Sequence, residues 1–290
     1  MRYHIENNFK IIEELPVSQI RVLEVDMLRA FINLCNENGL KYFIEGGTLI
    51  GAVRHQGFVP WDDDMDVSMP RADFEKFREL TKSGYLGEYE VRSYVRTPEV
   101  HPRPFDRIVD PRYMTSTKVE QPYMPPWLDV HAKDGLPSND VENWRHWNEI
   151  GKLKKASRIC RTPFSATKGI LRRTWNRLTL WPYKLRGPEY YAQKIEELSK
   201  KYDFDNSEYI ATVMAGYGRK ERMPKYWYTD GEKQLYFEGI LCSVPPHYDL
   251  VLKHMYGDYL RLPSNESKAT HVKKLWRVIP KKREAKEDVR

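Results

Sequence analysis

Cysteine is scarce in this chain. There are three in 290 residues, at positions 35, 160 and 242, with no paired spacing. That excludes a disulfide framework and a cysteine zinc site, points to a reducing compartment, and makes three buried apolar thiols the expectation. Long hydrophobic runs are also missing. No stretch approaches the ~18 apolar residues that cross a bilayer. The opening MRYHIENNFKIIEEL lacks the apolar core of a signal peptide. The expected location is therefore cytoplasmic, or peripheral on the inner face of the membrane. No Gly/Ser linker and no internal repeat interrupts the chain, so residues 1–290 are expected to form one compact unit.

One further absence is local. Between Gly151 and Gly187 there is no Asp or Glu, but there are eleven Lys and Arg. The chain carries a formal net charge of +7, so the remainder is net acidic and the basicity belongs to 151–187. Leu153, Ile159, Phe164, Ile170, Leu171, Trp175, Leu178, Leu180 and Trp181 are interleaved with it. Such a stretch suits an anionic membrane surface or a lipid-linked acceptor. It equally suits a helical hairpin packed on the core with a solvated basic face. Nucleic acid is the poorer fit.

The most informative residues that are present run from Phe43 to Phe77. A short apolar run ends in Gly46-Gly47-Thr48. Downstream, Asp62, Asp63, Asp64 and Asp66 run into the strand-like Val67-Ser68-Met69. Carboxylates two apart on a strand share a face, with alpha carbons roughly 6.5 Å apart. Asp64 and Asp66 thus suit a shared hard cation, Mg²⁺ or Mn²⁺, which bridges carboxylates to phosphate oxygens. Glycines after a strand let a phosphate approach the backbone, and the following helix N-terminus attracts it. An acidic run alone is more often a solvated loop. Here Val59, Trp61, Met65 and Val67 flank the aspartates, and ionised carboxylates near a core need a partner.

A coarse reading gives helices over 18–38, 48–54 and 70–81, and strands over 41–44, 64–69, 90–94, 105–109 and 127–131. Helices are expected over 138–161, 167–181, 188–202 and 246–256. The fold class is α+β: a small mixed sheet over 40–137 followed by a mainly helical part over 138–290.

The segment Glu45–Arg54 followed by Gly57–Asp66 resembles the LicD family, which includes the fukutin-related proteins. Further similarity lies in Trp127-Leu128-Asp129-Val130, Asp134-Gly135-Leu136-Pro137, Phe237-Glu238-Gly239, Tyr256-Gly257-Asp258-Tyr259 and Leu262-Pro263. The resemblance implies a nucleotidyltransferase-like fold with a catalytic metal site. It also implies transfer of phosphocholine or a phospho-alditol from a CDP-linked donor to a glycan or lipid-linked glycan. Asp129 is the expected third carboxylate, although solvent exposure or pairing with an arginine is the plain alternative.

In the expected mechanism Asp64, Asp66 and Asp129 hold the metal and Asp62 supports them. Gly46, Gly47 and Thr48 cradle phosphates. Arg54 neutralises the leaving nucleoside monophosphate, and Lys220 is a weaker phosphate ligand. For Arg54, Arg71 and Arg107 a surface ion pair is the default. Trp61, Tyr123 and Trp127 are candidates for an aromatic wall around choline, with core packing as the alternative. His131 reads first as a structural surface histidine and second as a supporting group or base. Tyr256, Asp258 and His271 read as structural. Two rivals remain: a nucleotidyltransferase moving a nucleoside monophosphate to a small alcohol, and a non-catalytic glycan- or membrane-binding protein.

Overall fold

The computed structural model describes residues 9–117, 123–163, 169–214, 217–261 and 272–280. His271 and the Leu262-Pro263 motif lie outside them. The chain begins with β1 (Phe9–Leu15), α1 (Gln19–Glu37), β2 (Phe43–Ile44), α2 (Gly46–His55), β3 (Met65–Pro70) and α3 (Arg71–Leu80). It continues through β4 (Tyr85–Leu86), β5 (Tyr89–Arg92), β6 (Asp106–Val109), β7 (Tyr113–Thr117), β8 (Tyr123–Met124) and β9 (Trp127–Leu136). Three helices follow, α4 (Asp140–Arg161), α5 (Ile170–Leu185) and α6 (Gly187–Ser199). The last elements are β10 (Tyr209–Ala211), a 3-10 turn at Gly218–Glu221, β11 (Met223–Pro224), α7 (Tyr226–Thr229), β12 (Lys233–Phe237), β13 (Ile240–Val244), α8 (Tyr248–Tyr256) and β14 (Val272–Pro280). The molecule is α+β, as the pattern of periodicities predicts, and among the described residues its C-terminal part also carries the five strands β10–β14.

The central sheet is mixed. Its strand β9 pairs in parallel with β3 and antiparallel with β6, and β10 joins its C-terminal end. β2 lies antiparallel on the other side of β3. Met65, Val67 and Met69 alternate onto one face and are fully buried, together with Phe31 of α1 and Phe74 and Phe77 of α3. Burial of a side chain of this size stabilises the fold by roughly 1.5–3 kcal/mol, so this face fixes the register. Asp66 and Ser68 are consequently turned to the opposite face.

Helix ends follow local chemistry. Asn139 caps α4 by accepting from the Val141 and Glu142 amides, with Asp140 and Glu142 in its positive first turn. α1 stops at Gly39, whose φ of +62° is left-handed.

A second sheet, in the order β1-β14-β7-β8, ties the two ends of the chain together. The β12–β13 hairpin turns at Glu238 and Gly239, both left-handed, as a two-residue turn of this kind requires. Its Glu238 carboxylate accepts the Phe58 amide at 3.1 Å. The Phe237-Glu238-Gly239 motif therefore anchors the loop that leads into the acidic cluster. Arg21 of α1 holds the same loop, donating to the carbonyls of Val59, Pro60 and Asp62. Of the three cysteines, Cys35 and Cys242 are buried, but Cys160 is only half-buried because it lies near the exposed end of α4.

Candidate active site

Asp66 and Asp129 are in direct register across the parallel β3–β9 pair, and Ser68 faces His131 one step along. Carboxylate oxygens of Asp66 and Asp129 and a ring nitrogen of His131 lie within 4.8 Å of one another. His131 Nε2 is 3.2 Å from Asp66 Oδ1. Its Nδ1 is buried without a hydrogen-bond partner. Two carboxylates and an imidazole at this spacing, one nitrogen orphaned, fit a divalent cation.

Asp129 is also gripped by Arg107 of β6, with Nε–Oδ1 at 2.5 Å and Nη2–Oδ2 at 2.7 Å. Burial alone would raise the Asp129 carboxyl. The guanidinium in contact with it outweighs that, and the group stays below the usual carboxylate range. Asp129 thus pairs with an arginine, the alternative weighed for it, and also adjoins Asp66. Each carboxylate oxygen has a second lone pair, so the arginine does not exhaust its capacity.

Several expectations need correction. His131 is not a surface residue. Its side chain is only 12% exposed, because Phe105 stacks on it at 4.6 Å. Burial lowers its basicity, and the contact with Asp66 raises it by more. Arg107 and Arg71 do not make surface ion pairs; Arg71 clamps the buried Asp134 at 2.6 and 2.8 Å. Arg54 sits in the last turn of α2, about 12 Å along the axis from Gly46, and donates to the Tyr259 carbonyl at 3.4 Å. The structure does not bring it to the carboxylates. Lys220 lies in the 3-10 turn, where its carbonyl oxygen is 2.8 Å from His254 Nε2. Trp127 and Tyr123 are packed elsewhere, the first under Arg107 and the second beside Trp276.

The acidic run divides. Asp64, expected to be a principal ligand, immediately precedes β3 and is not in the 4.8 Å group; its charge is felt by the buried Glu24. Asp63 is buried and accepts the Val272 amide at 2.7 Å, a structural tie between the cluster and β14. Asp62 packs on the glycine turn. A Cβ on Gly47 would fall 2.1 Å from Asp62 Oδ2, and one on Gly46, whose φ is +57°, would fall 3.4 Å from Asp66 Oδ2. Thr48 Oγ1 accepts the Asp66 amide at 3.1 Å, and the Glu45 amide donates to the Asp66 carbonyl at 3.0 Å. The Gly-Gly-Thr turn therefore seats the carboxylates at the N-terminus of α2, whose positive end favours them.

The site's other wall is barely legible in the sequence. Lys133 is buried. It reaches Glu45 at 2.7 Å and Thr212 at 2.9 Å, and lies over the Tyr228 ring. Glu221 is buried as well, and burial pushes its carboxyl up to about 7, with Lys133 opposing and Glu45 adding to the shift. Tyr256 packs edge-on against Tyr217, and its hydroxyl lies 3.9 Å from where a Gly46 Cβ would be. These residues come from segments far apart in sequence; the Tyr256-Gly257-Asp258 motif was the one available signal.

The family profile described as LicD/FKTN/FKRP, nucleotidyltransferase domain, matches residues 39–106. The chain is 26% identical over 266 residues to the lipopolysaccharide cholinephosphotransferase LicD of Haemophilus influenzae, covering 89% of this chain and 97% of that protein. It is 35% identical over 80 residues to the human ribitol 5-phosphate transferase FKRP, which is 28% of this chain and 16% of that protein. An uncharacterized protein of Rickettsia prowazekii, RP689, is 43% identical over 65 residues, 21% of this chain and 24% of that protein.

Proposed function

From the match to the LicD/FKTN/FKRP nucleotidyltransferase domain over residues 39–106 and the 26% identity to LicD, we propose that this chain is a LicD-type transferase that moves a phosphorylated head group from a CDP-linked donor to a glycan hydroxyl, releasing CMP. The observation that carries this reading is the meeting of Asp66, Asp129 and His131 beside the glycine turn. Asp66, Asp129 and His131, with Asp64 and Asp62 close by, would hold Mg²⁺ or Mn²⁺, which when bound supplies charge neutralisation and polarisation of the donor's phosphate oxygens.

The chain's own residues do the remaining work. The amides at the start of α2 attract the donor's phosphates. Arg107 keeps Asp129 ionised and fixes its orientation. His131, linked to Asp66, orients that carboxylate, and one of the aspartates takes the acceptor's proton. Tyr217 and Tyr256, edge to face at 5.9 Å beside Asp66, offer rings for a quaternary ammonium. Phosphocholine is therefore the preferred head group over an alditol phosphate. The acceptor is a cell-surface glycan or its lipid-linked precursor.

The same chain is proposed to work at the inner face of a membrane. α5 exposes Trp175, Leu178, Trp181 and Leu185, spaced to form one helix face, with Arg177, Lys184 and Arg186 beside them. No helix among the described residues is long and apolar enough to span a bilayer.

A donor screen tests the reading. CDP-choline, CDP-ribitol, CDP-glycerol and nucleoside triphosphates are supplied with Mg²⁺, and again with chelator. The expected result is metal-dependent CMP release, fastest from CDP-choline, with a raised KM for that donor in Tyr217→Ala. Pyrophosphate release from a triphosphate would identify a nucleotidyltransferase instead.

A further inference from the structure

A second concavity adjoins the carboxylates. It has a volume of about 370 Å³ and is lined by Arg103, Lys154, Lys155, Arg158 and Arg161, with Phe105 at its inner side. Among the described residues no carboxylate lines it. Four of the five cations belong to α4, where Gly151 on the same helix leaves the opening unobstructed. Spacings of three and four residues stack Lys154, Arg158 and Arg161 on one helix face.

The cavity shares the wall formed by Phe105 with the candidate active site. The Phe105 ring that walls it also stacks on His131 at 4.6 Å. Lys154 feels the charge of Glu221, which in turn faces Lys133, Glu45 and His131. A ligand in the cavity therefore lies one aromatic ring away from the reacting centre.

Its position relative to the glycine turn is informative. The strands run β2, β3, β9, β6 across the sheet. The α2 N-terminus follows β2, the carboxylates sit on β3 and β9, and Phe105 precedes β6. The glycine turn and the basic cavity thus flank the carboxylates on opposite sides. In-line displacement at phosphorus needs the entering and leaving oxygens on opposite sides too. With the donor's phosphates at the α2 end, the cavity falls on the side from which the acceptor enters.

We propose that this cavity binds a phosphorylated sugar of the acceptor, next to the hydroxyl that receives the head group. Five cations around a volume of this size match a dianionic phosphate monoester, and 370 Å³ admits one sugar ring. The proposal rests on the transferase reading, and its test needs no turnover, so the two fail separately.

The test is calorimetric titration of glucose 6-phosphate into the protein in EDTA, with glucose as the uncharged control. Lys155 and Arg158 are exposed, so Lys155→Glu and Arg158→Glu are expected to fold, and circular dichroism checks this. The wild type should bind glucose 6-phosphate and not glucose. Affinity should fall at least tenfold in each variant and also in 1 M salt. CMP should not compete. Three results would overturn the proposal: no binding by the wild type, equal affinity in both variants, or competition by CMP. The last would assign the cavity to the donor's nucleotide.

Discussion

Asp129 stands between Asp66 on β3 and Arg107 on β6, in register with both. One carboxylate thus serves the fold through the arginine and the chemistry through its neighbour. Replacing it should cost both. Asp129→Asn leaves the Arg107 guanidinium, whose side chain is 11% exposed, without its counter-charge, at a cost of about 2–4 kcal/mol in unfolding free energy. Asp66, 37% exposed, should lose less than about 1 kcal/mol as Asn. Both variants should lose at least about 100-fold in kcat/KM, since a Lewis-acid contact is worth several kcal/mol. Urea unfolding beside a CMP-release assay separates the two effects.

The glycines predict a second contrast. Gly47→Ala pushes Asp62 aside, because the new Cβ would lie 2.1 Å from its Oδ2. Activity should drop with little change in stability. Gly51→Ala meets backbone instead, 2.2 Å from the Gly57 carbonyl oxygen. It should destabilise by about 1–3 kcal/mol, and its surviving folded fraction should keep the wild-type divalent-cation affinity.

Glu221 predicts a pH dependence of stability. Burial raises its folded pKa from 4.5 to about 7. The folded state then holds a proton that the unfolded chain releases, so stability is full below about pH 4.5 and falls as pH rises to 7. The drop is roughly 3 kcal/mol at most. Glu221→Gln should flatten this part of the curve, as measured by thermal unfolding at pH 4.5, 6 and 7.5. An unchanged slope would place the proton elsewhere.

The exposed face of α5 predicts sedimentation with vesicles of phosphatidylglycerol but not of phosphatidylcholine. Binding should weaken in high salt and in Leu178→Glu, which puts a charge in the middle of the apolar stripe. Equal binding to neutral vesicles, or no effect of the substitution, would contradict it.

Much of the central sheet was legible because its signals are local. β3, α2, α3 and the acidic run follow one another within 39–81, and alternation alone sends Asp66 away from Met65 and Val67. Asp129 was legible as an acid inside an apolar strand. What escaped depends on contacts distant in sequence. β1 and β14 pair across nearly the whole chain, and neither alternates cleanly enough to declare itself. Arg107 looked like any arginine until β6 was set beside β9. His131 looked like a surface residue because Phe105, which covers it, comes from another strand. Glu221, Lys133 and Tyr217 have no shared motif; the fold alone assembles them. The glycine turn is legible as a bend without side chains, but its spacing does not reveal that Asp62 and Asp66 pack against it.

Asp66 and Asp129 are proposed to hold one divalent cation between them. Titration of Mn²⁺ into the wild type, Asp66→Asn and Asp129→Asn, followed by electron paramagnetic resonance of the free ion, tests it most directly. Saturable binding is expected in the wild type, and at least tenfold weaker binding in each variant. Wild-type affinity in either variant would contradict it.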